Sequence, residues 1–82
     1  MDQAYNDLRA LDLSIEAVER LVGQATRSMD ADLLNEATMA INDVKRKLSD
    51  VIAQRTGVDD EFLKRSQTRI AQVEEQLSEA KD

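Results

Sequence analysis

The hydrophobic register that decides the fold changes within residues 22–34, VGQATRSMDADLL. Upstream of this stretch, apolar residues alternate three and four positions apart, which is the heptad spacing of a packed helix. This first set comprises Ala4, Leu8, Leu11, Ile15, Val18, Val22, Ala25 and Met29. Continuing the same register would place Asp32, Glu36 and Asp43 in the apolar seam, where unpaired charges are costly. The stretch therefore predicts that the first helix ends here.

Two further heptad sets follow, each in its own register. The second set comprises Leu34, Ala37, Ile41, Val44, Leu48 and Val51. The third comprises Leu63, Ser66, Ile70, Val73, Leu77 and Ala80, with the serine as a polar interruption. No β-strand produces this periodicity. The three registers predict three helices, near residues 3–28, 31–55 and 60–80, in a single domain that covers residues 1–82.

Local chemistry at the two register changes supports these bounds. Asp30 suits the N-cap of the second helix, with Met29 and Leu34 as a hydrophobic staple. Gly57 suits the left-handed residue that ends the second helix, and Asp59 suits the N-cap of the third. Because both connections are only a few residues long, neighbouring helices should be antiparallel. The expected fold is all-α, an antiparallel up-down-up three-helix bundle with coiled-coil-like heptad packing.

Composition excludes several kinds of functional site. The 82-residue chain has 17 Asp or Glu against 11 Lys or Arg, a formal net charge of −6, and no His, Cys, Pro or Trp. It therefore lacks the commonest general base near neutral pH, the thiol nucleophile and the commonest zinc ligands. Its carboxylate clusters also lack the spacing of an EF-hand calcium loop. We expect no enzymatic activity, no metal or other cofactor and no small-molecule substrate.

Charge and hydropathy bear on partners and location. Acids and bases interleave along the first helix, and the basic clusters Lys45-Arg46-Lys47 and Lys64-Arg65 with Arg69 are interpreted as solvated faces. The acidic balance disfavours direct binding to nucleic acid or to an anionic membrane. No window approaches the roughly 20 apolar residues of a membrane span. Met1-Asp2-Gln3 lacks the basic start of a secretory signal. We therefore expect a cytoplasmic protein.

Three outward-facing apolar residues, Leu13, Ala17 and Met39, are the candidate binding residues. With Leu8 at heptad position a, Leu13 falls at position f, opposite the seam, with Ala17 beside it. The same counting places Met39 at f in the second helix. These residues form a surface for a protein partner or a second copy, or they are ordinary surface residues on a face that the third helix widens. At Gly23, either another backbone approaches closely or a cost of about 1 kcal/mol is tolerated.

Four short strings resemble a known family. They are Tyr5-Asn6-Asp7-Leu8, Val22-Gly23-Gln24-Ala25-Thr26, Ser28-Met29-Asp30 and Thr56-Gly57-Val58-Asp59-Asp60. These strings look like a family of short cytosolic helical proteins of unknown function from Bacillus-group bacteria, and the similarity spans most of the chain. The resemblance implies a small helical cytosolic protein and supplies no activity.

The sequence therefore favours a non-enzymatic helical interaction module that binds a protein partner or itself through an apolar helix face. The alternative is an acidic regulator or mimic that sequesters a nucleic-acid-binding protein. The sequence leaves open the identity of the partner, the biological pathway and the choice between a monomer and a dimer.

Overall fold

The computed structural model describes residues 3–54 and 60–81, with side chains from residue 8 to 53 and from 60 to 81. This part of the chain forms three helices, α1 (Gln3–Ser28), α2 (Ala31–Gln54) and α3 (Asp60–Lys81). Every helix packs against both of the others. The protein is an elongated all-α three-helix bundle, with principal extents of 41 × 18 × 15 Å.

The predicted fold class is confirmed, and the helix bounds agree closely with the prediction. Three of the predicted details lie outside the described residues. They are the end of the second helix at residue 55, the left-handed Gly57 and the cap at Asp59.

The heptad residues form the core of the bundle. The buried apolar side chains are Leu11, Ile15, Val18, Val22, Ala25, Ala37, Ile41, Val44, Leu48, Leu63, Ile70, Val73 and Leu77. All of them belong to the three predicted sets. Ser66, the polar interruption in the third set, is also buried, with only 1% of its surface exposed. No buried side-chain nitrogen or oxygen of the described residues lacks a hydrogen-bond partner, so burial leaves no polar side chain there unsatisfied.

The connection between α1 and α2 consists of Met29 and Asp30. The backbone N–H of Met29 donates to the carbonyl of Ala25 at 2.8 Å, which closes the last turn of α1. The Asp30 carboxylate accepts hydrogen bonds from the backbone N–H groups of Asp32, at 2.8 Å, and Leu33, at 3.3 Å. These bonds satisfy N–H groups that the first turn of α2 leaves free. The predicted N-cap at Asp30 is confirmed.

Met29 does not continue the apolar seam, so this detail of the prediction is wrong. Its φ angle is 57°, which lies in the left-handed region, and its side chain is 54% exposed. Because Met29 itself is left-handed, α1 ends at the preceding residue, Ser28, and the Met29 side chain leaves the stripe that faces the core. The heptad prediction uses the spacing of apolar residues alone, so it does not detect this change in backbone direction.

Polar side chains across the α2–α3 interface show that these helices are antiparallel. Lys45 Nζ donates to Glu74 Oε2 at 2.8 Å. One heptad earlier on α2, Thr38 Oγ1 accepts a hydrogen bond from Lys81 Nζ at 2.9 Å. The residue number falls on one helix as it rises on the other. The same antiparallel order holds for α1 and α2, which a two-residue connection joins.

The left-handed backbone at residue 29 predicts that glycine is more stabilising than alanine at this position, the opposite of their order inside a helix. Both Met29→Gly and Met29→Ala remove the long side chain, but only alanine keeps the Cβ that crowds a left-handed backbone. We expect Met29→Gly to have a free energy of unfolding about 1 kcal/mol higher than Met29→Ala. Urea unfolding followed by far-UV circular dichroism measures this difference. A more stable alanine variant would contradict the assigned backbone conformation.

Candidate functional site

Each of the helices α1 and α2 carries a row of exposed residues, spaced three to seven positions apart, on the side opposite its buried seam. The outer α1 row consists of Arg9, Leu13, Glu16, Arg20 and Arg27. The outer α2 row consists of Asp32, Glu36, Met39, Asp43, Arg46 and Asp50. Residues at this spacing share one stripe of a helix, and both stripes lie away from the buried seam. The outer α1 row is basic, with three arginines and one glutamate, whereas the outer α2 row is acidic, with four carboxylates and one arginine.

The structure places all three predicted binding residues on the exposed surface of α1 and α2. Leu13 is 52% exposed and Met39 is 69% exposed, and Ala17 is exposed as well. Ala17 and Ala40, the residue after Met39, line the same groove between α1 and α2. With the helices antiparallel, Leu13 and Met39 lie roughly 12 Å apart along the bundle axis. Their predicted exposure is confirmed, and their role in binding stays a prediction.

The groove between the two rows has a floor of small and aliphatic side chains. It is lined by Ser14, Ala17, Val18, Ala40, Asp43, Val44 and Lys47. The ammonium of Lys47 crosses it and donates to Ser14 Oγ at 3.3 Å, which also places these two residues at the same height. Because Ala17 and Ala40 are short, the groove is a depression between the longer side chains of Leu13 and Met39. An apolar side chain of another molecule could enter such a depression.

Gly23 does not mark a close approach within the chain. A Cβ atom built on Gly23 would have no heavy atom within 4 Å apart from its own helix backbone. The hydroxyl of Thr26 contacts the carbonyl oxygens of Val22, at 2.9 Å, and Gly23, at 3.2 Å, so the helix backbone continues normally through this position. Nothing in the described residues therefore requires glycine there.

Arg69 on α3 forms the main polar cluster at the interface with α1. Its Nε and Nη2 donate to the two carboxylate oxygens of Glu19 at 3.0 and 2.9 Å, and its Nη1 donates to Asp12 Oδ1 at 2.7 Å. The Arg69 side chain is only 29% exposed. The interpretation of Arg69 as a solvated residue is therefore wrong. Its planar fork holds α3 against two successive heptads of α1.

Both charges in this cluster are stabilised. The hydrogen bonds from Arg69 lower the pKa of Glu19, and the positive charge of the guanidinium adds to this effect, whereas desolvation and the negative charge of Asp12 oppose it. The pKa of Arg69 is raised further by its hydrogen bonds to Glu19 and then Asp12. Neither group is poised to exchange a proton near neutral pH. The cluster therefore has the chemistry of a structural ion pair.

A weak signal for this cluster exists in the sequence. Asp12, Glu19 and Thr26 are spaced by one heptad and flank the seam of α1 on the same side. Arg69 and Gln76 are spaced by one heptad on α3, and Gln76 Nε2 lies 3.5 Å from Thr26 Oγ1. Such positions flanking a seam hold charges that pair between helices. The sequence does not reveal which neighbouring helix a given flank will face.

A second groove of the described residues is lined largely by polar groups that contact one another. A groove between α2 and α3 is lined by Thr38, Ile41, Asn42, Glu74, Leu77, Ser78 and Lys81. Three of its polar groups already contact one another or the nearby Lys45. Within residues 3–54 and 60–81, no three Asp or Glu side chains gather closely enough to hold a metal ion. None of the helices in that part is both long enough and apolar enough to pass through a membrane.

Comparison with known proteins identifies the relatives of the chain. The model of a family described as "Protein of unknown function (DUF2564)" matches residues 4–82. The chain is also similar to the uncharacterized protein YpzA of Bacillus subtilis (strain 168), with 35% identity over 78 residues, 95% of this chain and 86% of that protein. No solved structure matches the chain significantly. The resemblance to an unknown-function family from Bacillus-group bacteria is confirmed.

The Arg69 cluster predicts a clear contrast between two arginines of α3. We expect Arg69→Met to lower the free energy of unfolding by about 1–2 kcal/mol, because it removes three charged hydrogen bonds in a partly buried site. The matched control is Arg65→Met, which removes a 66% exposed guanidinium lying 3.9 Å from Glu61. That change should cost no more than about 0.5 kcal/mol. Equal losses in urea unfolding would show that the cluster does not hold α3.

The lowered pKa of Glu19 predicts a pH-dependent contribution to stability. The folded pKa lies below the ordinary value of 4.5, so the stabilisation is fully present above that pH and is lost as the pH falls through the folded pKa. We expect wild type to exceed Glu19→Gln in free energy of unfolding by a constant amount near neutral pH. That difference should shrink towards zero in acid. Urea titrations at a series of pH values measure it, and a difference that persists in acid would contradict the assigned pair.

Proposed function

We propose a function from the surface of this chain, which belongs to the family described as "Protein of unknown function (DUF2564)". The chain is a small non-enzymatic helical interaction module of the cytoplasm that binds a protein through the outward side of α1 and α2. Leu13, Ala17 and Met39 make the central apolar contacts. The proposal assigns it no cofactor, no small-molecule substrate, and no direct contact with nucleic acid or membrane.

One observation carries this proposal. Leu13 and Met39 are two of the three large apolar side chains that are exposed among the described residues, and both lie on the same side of the bundle. The third, Met29, lies in the connection at one end. Apolar side chains flanking a groove with an alanine floor, inside a charged rim, are typical of a protein contact surface.

In the proposed mechanism, the apolar residues and the charged residues of this surface have different roles. Burial of apolar surface supplies the free energy of association, at roughly 25 cal/mol per Å² before the costs of association are subtracted. Charged residues of the two outer rows flank Leu13 and Met39 along their own helices. Charges at a rim mainly select the partner and its orientation and speed the encounter. Leu13 and Met39 would therefore determine affinity, and the rows would determine specificity.

A second candidate function is an acidic regulator or mimic that sequesters a nucleic-acid-binding protein. The observation in its favour is the outer α2 row, in which four carboxylates lie along one stripe. Against it, Arg46 lies in the same stripe and its Nη1 is 3.2 Å from Asp43. A partner held by a phosphate-like row of carboxylates would be released as salt screens the charges. A partner held by Leu13 and Met39 would stay bound in a high-salt wash.

Two charges placed in the apolar centre test the interaction module. We expect Leu13→Asp combined with Met39→Asp to weaken binding to a captured protein partner, or to a second copy, by more than about tenfold, because each carboxylate would be desolvated in the contact. The measurements are affinity capture from the native type of cell with quantitative mass spectrometry, and sedimentation equilibrium of the purified chain. Both changed residues are exposed, so the fold should persist.

The matched control is Met29→Asp. It introduces one carboxylate at the third exposed large apolar residue, outside the proposed contact and at a left-handed position that aspartate tolerates. This variant should capture the same proteins as wild type. The proposed function fails if the Leu13 and Met39 variant behaves like wild type in both capture and sedimentation.

A further inference from the structure

We infer that the change of heptad register between α1 and α2 prevents the chain from opening into a domain-swapped dimer. In such a dimer, α1 and α2 of each copy would join into one continuous helix, and α1 would pack on α2 and α3 of the other copy. Every core contact of the closed bundle would then form between chains. This inference does not depend on the proposed function, because it concerns the connection and not the surface with Leu13 and Met39.

Local features of the connection would favour this opening. It has only two residues, Met29 and Asp30, and short strained connections between packed elements are common hinges for domain swapping. A continuous helix would relieve the φ angle of 57° at Met29 and return this exposed side chain to the heptad stripe of α1. It would also give partners to backbone groups at the two helix ends, beyond the two N–H groups that Asp30 already caps. The constraint that keeps the bundle closed must therefore act outside the connection.

The apolar stripes of α1 and α2 would point in different directions along a continuous helix. Ala25, near the end of α1, and Ala37, near the start of α2, are both fully buried in the core. They are 12 positions apart in the sequence, which is about three and one third turns of an α-helix. The same spacing separates Val22 from Leu34. In a continuous helix, the two stripes would therefore be turned by about 120° from each other.

The symmetry of the swapped dimer requires the two stripes to point the same way. Its two long helices would lie antiparallel, related by a two-fold axis perpendicular to both. The α1 half of each helix would lie beside the α2 half of the other, so each long helix would meet its partner on one side throughout. The same axis places both copies of α3 on one face of the pair. When the α1 stripe faces the partner, buried residues of α2 such as Ile41 and Val44 would turn towards water.

An opened chain with a non-helical connection avoids this conflict but gains nothing over the closed bundle. It makes the same core contacts, leaves Met29 outside the stripe and loses the entropy of association. Only the continuous helix would favour opening, and the register excludes it. The closed hairpin of α1 and α2 is therefore the form that this sequence selects.

Insertions in the connection test the register while leaving the core residues unchanged. All variants carry Asp30→Ala, which removes the N-cap of α2 and lets the connection become helical. Inserting Ala-Leu after residue 30 places Ala25 and Ala37 two full heptads apart, and the inserted leucine falls in the stripe. We expect this two-residue insertion to form the swapped dimer. It can also close with a longer connection, so it should fold in either case.

The matched control inserts four residues, Ala-Leu-Ala-Ala, at the same place. This insertion is also made of strong helix formers, but it would turn the two stripes about 160° apart in a continuous helix. We expect it to stay closed, as should Asp30→Ala without an insertion. The association constant of the two-residue insertion should exceed that of the four-residue insertion at least about tenfold.

Sedimentation equilibrium across the micromolar range measures these constants, since a dimer approaches twice the 9.2 kDa of the chain. Small-angle X-ray scattering identifies the swapped form by its length. A continuous helix through α1, the connection and α2 would be about 80 Å long, whereas the closed bundle extends over 41 Å. Far-UV circular dichroism confirms that every variant is folded.

An elongated dimer of the two-residue insertion alone would support the inference. An elongated dimer of the wild type, or of Asp30→Ala without an insertion, would overturn it, because opening would then not depend on register. Equal association of the two-residue and four-residue insertions would overturn it as well. So would a two-residue insertion that stays closed, since matching the stripes would then not be enough to open the chain.

Discussion

The two-residue connection between α1 and α2 sets the height of each residue on one helix relative to the other. Met29 closes the last turn of α1 through its N–H, and the Asp30 carboxylate opens α2 by accepting two backbone hydrogen bonds. A left-handed methionine costs about 1 kcal/mol, which a cap such as Asp30 offsets by a similar amount. Sliding α2 by even one residue along α1 would break either the closing hydrogen bond of Met29 or the cap at Asp30. The apolar residues that meet across the α1–α2 interface follow from that constraint.

Side chains on both neighbours hold α3 at its height. A heptad seam is periodic, so sliding α3 by seven residues along α1 would return an apolar stripe to an apolar stripe. The polar flank does not repeat in the same way. After such a slide, Arg69 would face Glu19 and the neutral Thr26 instead of two carboxylates. The partly buried, bidentate pair therefore selects one of several heights that the core alone would accept.

The sequence predicted the elements of this fold better than their polar contacts. Burial of Leu11, Ile41 and Leu63 follows from spacing, because an apolar stripe must face another helix. The position of Met29 does not follow from spacing, because it depends on a φ angle. Arg69 was misjudged for a different reason, since a residue flanking a seam is solvated or paired according to which helix lies beside it.

The candidate surface shows the same division between what sequence reveals and what it does not. Heptad counting placed Leu13 and Met39 opposite their seams, and both are exposed. The separation of charge into a basic row on α1 and an acidic row on α2 is hidden in the linear order, where acids and bases interleave, and it appears when residues three and four positions apart are grouped on each helix. The Met29–Asp30 connection then sets the height of one row relative to the other. A linear sequence contains the spacing but not that height.

The stability of the fold does not account for the residues of the two outer rows. Opposite charges on adjacent helices of one chain stabilise their pairing only slightly, because exposed ion pairs contribute about 0–1 kcal/mol. That small effect does not explain why Leu13 and Met39 stand within those rows, where water meets their apolar surface. Apolar side chains become favourable when another surface covers them, and flanking charges then decide which surface fits. The two features have a common explanation when the outward side of α1 and α2 is a place of contact.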